Sequence, residues 1–209
     1  MGLYSKYIFP KIIESLLSRP SVMKQRKDIL SHVKGDILEI GFGTGLNLSC
    51  YPSFVKEITV IDTNEGMNAL ANKRIETTQI KVNFSLLNAE SLPFGDETFD
   101  TVVSTFTFCS IENINAAMKE FYRVLKPNGQ LIFLEHGLSP NKKISFIQNH
   151  INPFYKLFSE GCSINLNIKS IVEENGFVIN KLEQFYDKHM LKIAADLYKG
   201  IAIKCSLKA

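Results

Sequence analysis

Residues 36–45 read Asp-Ile-Leu-Glu-Ile-Gly-Phe-Gly-Thr-Gly, an apolar strand that, after Asp36, carries the carboxylate Glu39 near its end and then places glycines at 41, 43 and 45. Gly41, Gly43 and Gly45 permit positive φ and let a ligand approach the backbone with no Cβ in the way, as a strand-to-helix turn around a bulky cofactor requires. A dinucleotide fingerprint would need a further glycine at 46, where this chain has Leu46. Glu39, two residues before the first glycine, would repel a pyrophosphate and would hold a cationic amino-acid group. An ordinary tight turn between a buried strand and a helix is the competing reading of the glycines alone. Asn47, just inside the helix predicted to follow, is either a cofactor contact or a solvated polar residue.

A second carboxylate closes the next apolar run, Thr59-Val60-Ile61-Asp62, with Thr63 behind it. Asp62 lies about 20 residues after the glycine loop, where an acidic residue accepts hydrogen bonds from both ribose hydroxyls. A ribose at one end and a cationic amino acid at the other describe S-adenosylmethionine, which carries a sulfonium and an ammonium.

These motifs need a particular set of elements to position them. After the strands ending at Glu39-Ile40 and Asp62, a third alternates Ile80, Val82 and Phe84 and runs into Leu87-Asn88-Ala89-Glu90-Ser91-Leu92-Pro93-Phe94, and Phe99-Asp100-Thr101-Val102-Val103 opens a fourth. Ala117, Met118, Phe121, Val124 and Leu125 set an apolar stripe on a helix that Pro127 and Gly129 end, and the strand Gln130 to Glu135 follows. Alternating strands and helices predict an α/β fold, a parallel sheet with helices on both faces. The tail departs from this rhythm. Ser139 to Lys143 reads as an exposed turn, Ile144 to Phe158 as helix-like, Gly161-Cys162-Ser163 as a break, and Phe177 to Leu182 and Ile201 to Lys204 as two late strands.

This pattern resembles class I S-adenosylmethionine-dependent methyltransferases of the type 11 family. The resemblance runs from Leu38 to Phe133 and includes the L-P-F...F-D segment and the turn Arg123-Val124-Leu125-Lys126-Pro127-Asn128-Gly129. Asn128 stands where glycine is usual, a mild departure because Asn tolerates the left-handed region, and Phe42 is bulkier than the small residue common there. The resemblance implies a Rossmann-like, doubly wound, seven-stranded sheet whose last strand inserts antiparallel beside the fifth. It implies one domain over residues 1–209, with a helical cap at 1–34, a cofactor core at 35–136 and a substrate-side tail at 137–209. S-adenosylmethionine would be bound and S-adenosylhomocysteine released.

Ligands of open parallel sheets bind beyond the carboxyl ends of the strands. That rule nominates Gly41 to Gly45, Asp62, Asn88 to Glu90, Thr105 to Ser110 and Glu135-His136. By family pattern, Ala89 and Glu90 would face the adenine, and Thr105 and Phe106 would flank the methionine portion. Met67 would lie against the adenine or fill the core. Methyl transfer is an in-line displacement with a neutral thioether leaving, so the protein supplies alignment, a dry cavity and, where the acceptor demands it, a base. His136 is the candidate base, or a hydrogen-bonded structural histidine. Glu135 is an alternative base or an orienter of that ring, and strand alternation sends only one of the two into the pocket.

Composition fits one catalytic domain: 209 residues, 45% hydrophobic, net charge +3. The charge is too small for a nucleic-acid surface, and the nearest basic cluster, Lys24, Arg26 and Lys27, reads as a solvated helix face. Cys50, Cys109, Cys162 and Cys205 are widely separated with no C-x-x-C and no histidine at ligand spacing, so neither a metal site nor a disulfide framework is expected, and a reduced, cytoplasmic setting fits. Lys6 stands where a myristoylation signal wants Ser or Thr, and no run approaches the ~18 apolar residues of a membrane span. Ile12, Ile13, Leu16 and Leu17 form an amphipathic N-terminal helix that packs on the domain, closes as a substrate lid or touches a membrane surface.

A finer resemblance lies in Phe108-Cys109-Ser110-Ile111, Phe133-Leu134-Glu135-His136 and Leu157 to Cys162, which are similar to the alkyl thiol methyltransferases. It implies a small lipophilic acceptor, thiol favoured. Methylation of a quinone ring or a phospholipid amine, a non-catalytic cofactor-binding scaffold, an aminopropyl transferase using a related sulfonium, and a nicotinamide oxidoreductase complete the set of readings. The sequence says nothing of oligomeric state.

Overall fold

The computed structural model describes residues 9–64 and 68–205. The first eight residues of the expected cap and Met67 lie outside them. Seven strands form one sheet in the order β3-β2-β1-β4-β5-β7-β6. They are β1 (Ile37–Ile40), β2 (Glu57–Asp62), β3 (Lys81–Leu86), β4 (Phe99–Thr105), β5 (Leu125–His136), β6 (Phe177–Tyr186) and β7 (Asp196–Lys204). The first five are parallel, and β7 runs antiparallel between β5 and β6. This is the Rossmann-like arrangement expected from the sequence.

Alternate residues of the central strands feed two apolar layers. Leu38, Val102, Leu131 and Phe133 face one side and meet Ala117, Met118, Phe121 and Val124 of α4 (Ile114–Val124) and Ile168 and Val172 of α6 (Ile168–Glu174). Ile37, Val103, Ile132 and Leu134 face the other and meet Ile29 and Leu30 of α2 (Pro20–Leu30) and Ala71 of α3 (Asn68–Thr77). Because both faces are covered, β1 is buried at every position, so its one carboxylate, Glu39, is enclosed with it.

Three elements differ from the sequence reading. The helix expected after the glycine loop is only a 3-10 turn, Leu46–Ser49; Pro52 biases Tyr51 away from helical angles and stops propagation. The late strands are longer than expected, because β6 carries a register shift between Ile179 and Lys181 and exposes much of its length, which hides the alternation. The cap is two helices, α1 (Phe9–Leu17) and α2. As expected, Asn128 takes a left-handed φ of 61°.

The ends of β1 and β4 part at the switch point of the sheet, and the turns leaving β1, β2, β3 and β4 surround one cavity there. Helix α1 crosses that opening, with Ile13 and Leu17 on its wall. Glu14 of α1 accepts from the Thr44 hydroxyl in the glycine loop and pairs with Arg74 of α3. Helix α5 (Lys142–Phe158) leaves Phe146, Phe154, Leu157 and Phe158 exposed. Among the described residues no helix is long and apolar enough to cross a membrane.

Candidate cofactor and acceptor site

The cavity measures about 420 Å³, within the range of small-molecule sites. Gly43 has φ 57°, and a Cβ built on it would meet no atom nearer than the Gly41 carbonyl oxygen at 3.9 Å, so it would project into open cavity. Gly41 is different: its Cβ would lie 2.2 Å from the Thr107 hydroxyl oxygen, which marks a close crossing of two loops. Gly45, φ 77°, caps the short 3-10 turn. Gly41 and Gly43 both line the cavity, but only Gly43 leaves open space where a side chain would stand; Gly41 and Gly45 shape the loop.

Asp62 lies on the cavity wall. Its carboxylate accepts from Gly43 N at 2.6 Å and Asn64 N at 2.7 Å, which ties the end of β2 to the glycine loop. Burial pushes its pKa up, and these backbone N–H groups pull against that. Thr63, Asn88, Ala89, Glu90, Thr105 and Phe106 also line the cavity. Glu90 accepts from Asn113 N at 3.0 Å, and its own amide donates to the Asn88 side chain at 2.9 Å, so the turn after β3 is braced. Phe106 holds φ 56°, a conformation that costs a bulky residue of order 1–3 kcal/mol. Its amide donates to the Leu134 carbonyl at 2.8 Å, which anchors the turn to β5.

Glu39 needs correction. It is 1% exposed and absent from the cavity wall, behind the loop. Its carboxylate accepts from Asn47 Nδ2 at 2.9 Å and from the Tyr51 hydroxyl at 2.6 Å. Burial raises its pKa to about 7, against the pull of those two donors and of Arg26. Glu39 therefore acts on the cavity through Asn47, which does line it and is a site residue rather than a solvated one.

The sequence reading missed Arg26. Taken for part of a solvated basic face, it is 4% exposed and lines the cavity. Its Nη1 donates to Asn47 Oδ1 at 2.7 Å and Thr105 Oγ1 at 2.6 Å, its guanidinium lies 5.2 Å from the Phe106 ring centroid, and its Nε has no partner. The signal was in the helix: Val22, Arg26, Ile29 and Leu30 fall at i, i+4, i+7 and i+8, the buried stripe of α2. A buried cation with an unspent donor beside the methionine end is the natural partner of an amino-acid carboxylate.

Neither candidate base reaches the cavity. Glu135 is fully buried and accepts from Ser104 Oγ at 2.8 Å and from Thr107 N at 3.0 and 3.1 Å; its carboxylate holds the turn after β4. His136 is 6% exposed, and its Nε2 lies 3.3 Å from Cys162 Sγ. Alternation was to send one of the two inward; the turn after β4 covers one and the chain around Cys162 the other. The lining's titratable side chains are Arg26, Asp62, Glu90, Glu112 and Glu160. The fold also assembles what cysteine spacing did not foretell: Cys109, His136 and Cys162 present donor atoms all within 4.8 Å of one another.

The open glycine cradle, the Asp62 carboxylate on the cavity wall, the braced Asn88–Glu90 turn and the unspent buried guanidinium together fit S-adenosylmethionine, and residues 38–133 match the family model described as "Methyltransferase domain". Residues 38–133 carry the domain of a class I S-adenosylmethionine-dependent methyltransferase. Thiol S-methyltransferase TMT1B of Rattus norvegicus is 27% identical over 192 residues, covering 85% of this chain and 78% of that protein. Methyltransferase OMS1, mitochondrial, of Saccharomyces cerevisiae is 30% identical over 170 residues, covering 73% of this chain but only 36% of that longer protein. Among solved structures, a Bacillus halodurans putative methyltransferase superposes with a TM-score of 0.69 at 20% identity over 89% of this chain and all of that one, which speaks to the fold.

Proposed function

We propose that the protein transfers the methyl group of S-adenosylmethionine to a small lipophilic thiol. The observation that carries this reading is the withdrawal of His136 and Glu135 from a cavity whose lining includes no histidine, lysine or cysteine among the described residues. An acceptor that ionises by itself suits such a site: a free thiol has a pKa near 8.5, so an appreciable thiolate fraction exists near neutral pH without a dedicated base. A phenol or an unactivated carbon acid would need one. The similarity to a thiol S-methyltransferase over most of both chains points the same way.

The bound cofactor supplies an electrophilic methyl on a cationic sulfur. The residues of this chain do the rest. Asp62 would accept from the ribose hydroxyls, the Asn88–Glu90 turn would hold the adenine, and Arg26 with Asn47 would hold the amino-acid end; all of them line the cavity. Ile13 and Leu17 of α1, with Ile111 and Phe106, give the open side an apolar wall that favours a lipophilic acceptor and excludes water. The acceptor thiol would lose its proton to solvent first, and the resulting thiolate would take up the methyl group, with a neutral thioether as the leaving group.

A panel of alkyl thiol, phenol, quinone and amine acceptors with radiolabelled methyl donor tests the reading. Fastest turnover is expected for an apolar alkyl thiol, with a rate that rises with the thiolate fraction between pH 7 and 9. A quinone, phenol or amine methylated well above every thiol would sink it.

A further inference from the structure

Cys109, His136 and Cys162 come from three separate elements: the 3-10 turn Phe108–Ser110 after β4, the last residue of β5, and the loop after α5. All three are buried and their donor atoms lie within 4.8 Å of one another. The cluster is built rather than incidental. Ser163 N donates to the Cys109 carbonyl at 2.7 Å, which locks the two cysteine-bearing segments together. Gln148, fully buried, donates to the carbonyls of Gly137, Ile164 and Ile193 at 2.9 to 3.0 Å and accepts from Ser139 N at 2.8 Å, fixing the residues that follow His136 and Cys162. A Cβ on Gly137 would come within 2.8 Å of the Leu166 carbonyl oxygen, so the end of β5 is pressed against that loop.

The imidazole is the unusual member. His136 Nδ1 is buried with no hydrogen-bond partner, Nε2 lies 3.3 Å from the Cys162 sulfur, and the ring also interacts with the Cys109 thiol. Buried ring nitrogens are ordinarily paired, so one whose ring engages only sulfur asks for an explanation. Around a tetrahedral ion, two thiolates and an imidazole nitrogen sit about 3.5–3.8 Å apart, close to the 3.3 Å observed between Nε2 and Sγ. Two thiolates neutralise a divalent charge, which removes the main objection to burying it.

We propose that Cys109, His136 and Cys162 form a binding site for a thiophilic divalent ion of the zinc class. Sulfur and imidazole ligands select zinc over magnesium or calcium, which take oxygen. Binding releases the two thiol protons, leaves the histidine neutral and involves no change of oxidation state. Three protein ligands leave a fourth position, and the neighbours Ser110 and Glu160 line the cofactor cavity, so the ion would stand directly behind its wall. The site stands whichever acceptor the enzyme uses, because its test reads metal.

Protein purified under reductant and stripped with a chelator is titrated with cobalt(II). The expected result is one equivalent bound, with the visible bands of tetrahedral cobalt, a charge-transfer band of two-thiolate intensity, and displacement of both by zinc. Cys109→Ser and Cys162→Ser should each weaken binding at least about 100-fold, since even outer-shell changes cost about 10- to 100-fold. Cys50→Ser and Cys205→Ser should bind as wild type. If the serine variants fail to fold, the wild-type titration decides alone. No thiolate band at one equivalent, or a Cys109–Cys162 disulfide forming under mild oxidant equally fast with and without zinc, would overturn the proposal.

Discussion

Glu14 of α1 and Arg74 of α3 form an ion pair across the rim of the cofactor cavity, and Arg74 also donates to the Thr44 carbonyl in the glycine loop at 2.7 Å. One carboxylate thus joins the cap, the loop and the first helix beyond β2. Both side chains are partly exposed, so the pair itself is worth about 0.2–1 kcal/mol and its effect on global stability should be small. Its position gives it leverage on opening. Glu14→Gln is expected to speed release of bound S-adenosylhomocysteine several-fold while shifting Tm by no more than about 4 °C, given that ~1 kcal/mol moves Tm by about 2–4 °C at this size. Stopped-flow release rates at low and high salt check it, and an unchanged rate would show that α1 does not gate the cavity.

Arg26 offers the second test. If its unspent Nε–H receives the cofactor carboxylate, Arg26→Met should weaken S-adenosylmethionine and S-adenosylhomocysteine equally, by about 1.5–3 kcal/mol, which is roughly 10- to 150-fold. Decarboxylated S-adenosylmethionine, lacking that group, should bind wild type and variant alike. Calorimetry with the three ligands separates this from general damage: equal losses for all three would mean that Arg26 only supports the fold.

The two central glycines should fail in different ways. Gly43→Val places a branched side chain in the cradle, where nothing but ligand space lies ahead of it, so cofactor affinity should fall at least tenfold (about 1.4 kcal/mol). Gly41→Ala drives a methyl into Thr107 and should lower Tm more than Gly43→Val does. Thermal melts with and without S-adenosylhomocysteine test this, and a Gly43→Val protein with wild-type ligand stabilisation would remove the loop from the binding site.

The parts of this site legible in the sequence are those built from local geometry. A β-turn-α crossing fixes the spacing of Gly41, Gly43 and Gly45, and strand ends fix Asp62 and Asn88 to Glu90, so type and position alone reveal them. The acceptor side was not legible in this way, because it is tertiary. Arg26 looks solvated among Lys24 and Lys27 until its place on the buried stripe of α2 is known. Glu135 and His136 end a strand at the right edge of the sheet, yet the turns after β4 and α5 close over them. Cys109, His136 and Cys162 lie 27 and 26 positions apart along the chain, and only the docking of the α5 loop brings them together.

Glu39 yields the last prediction, on pH. Its carboxyl, enclosed behind the loop, has a pKa raised to about 7 from an ordinary 4.5. A raised folded-state pKa means the fold prefers the neutral acid, so the stability from this group is fully present below pH 4.5 and drains away as pH climbs to about 7. Above that, the folded protein bears a cost of about 3 kcal/mol, at about 1.36 kcal/mol per unit. Glutamine keeps an oxygen to accept from Tyr51 or Asn47 but has no proton to lose. Urea denaturation at pH 5 and pH 8 should therefore show Glu39→Gln nearly as stable as wild type at the lower pH and more stable at the higher one. Loss of stability at pH 8 would show instead that the fold needs an ionised Glu39 as the counter-charge to buried Arg26.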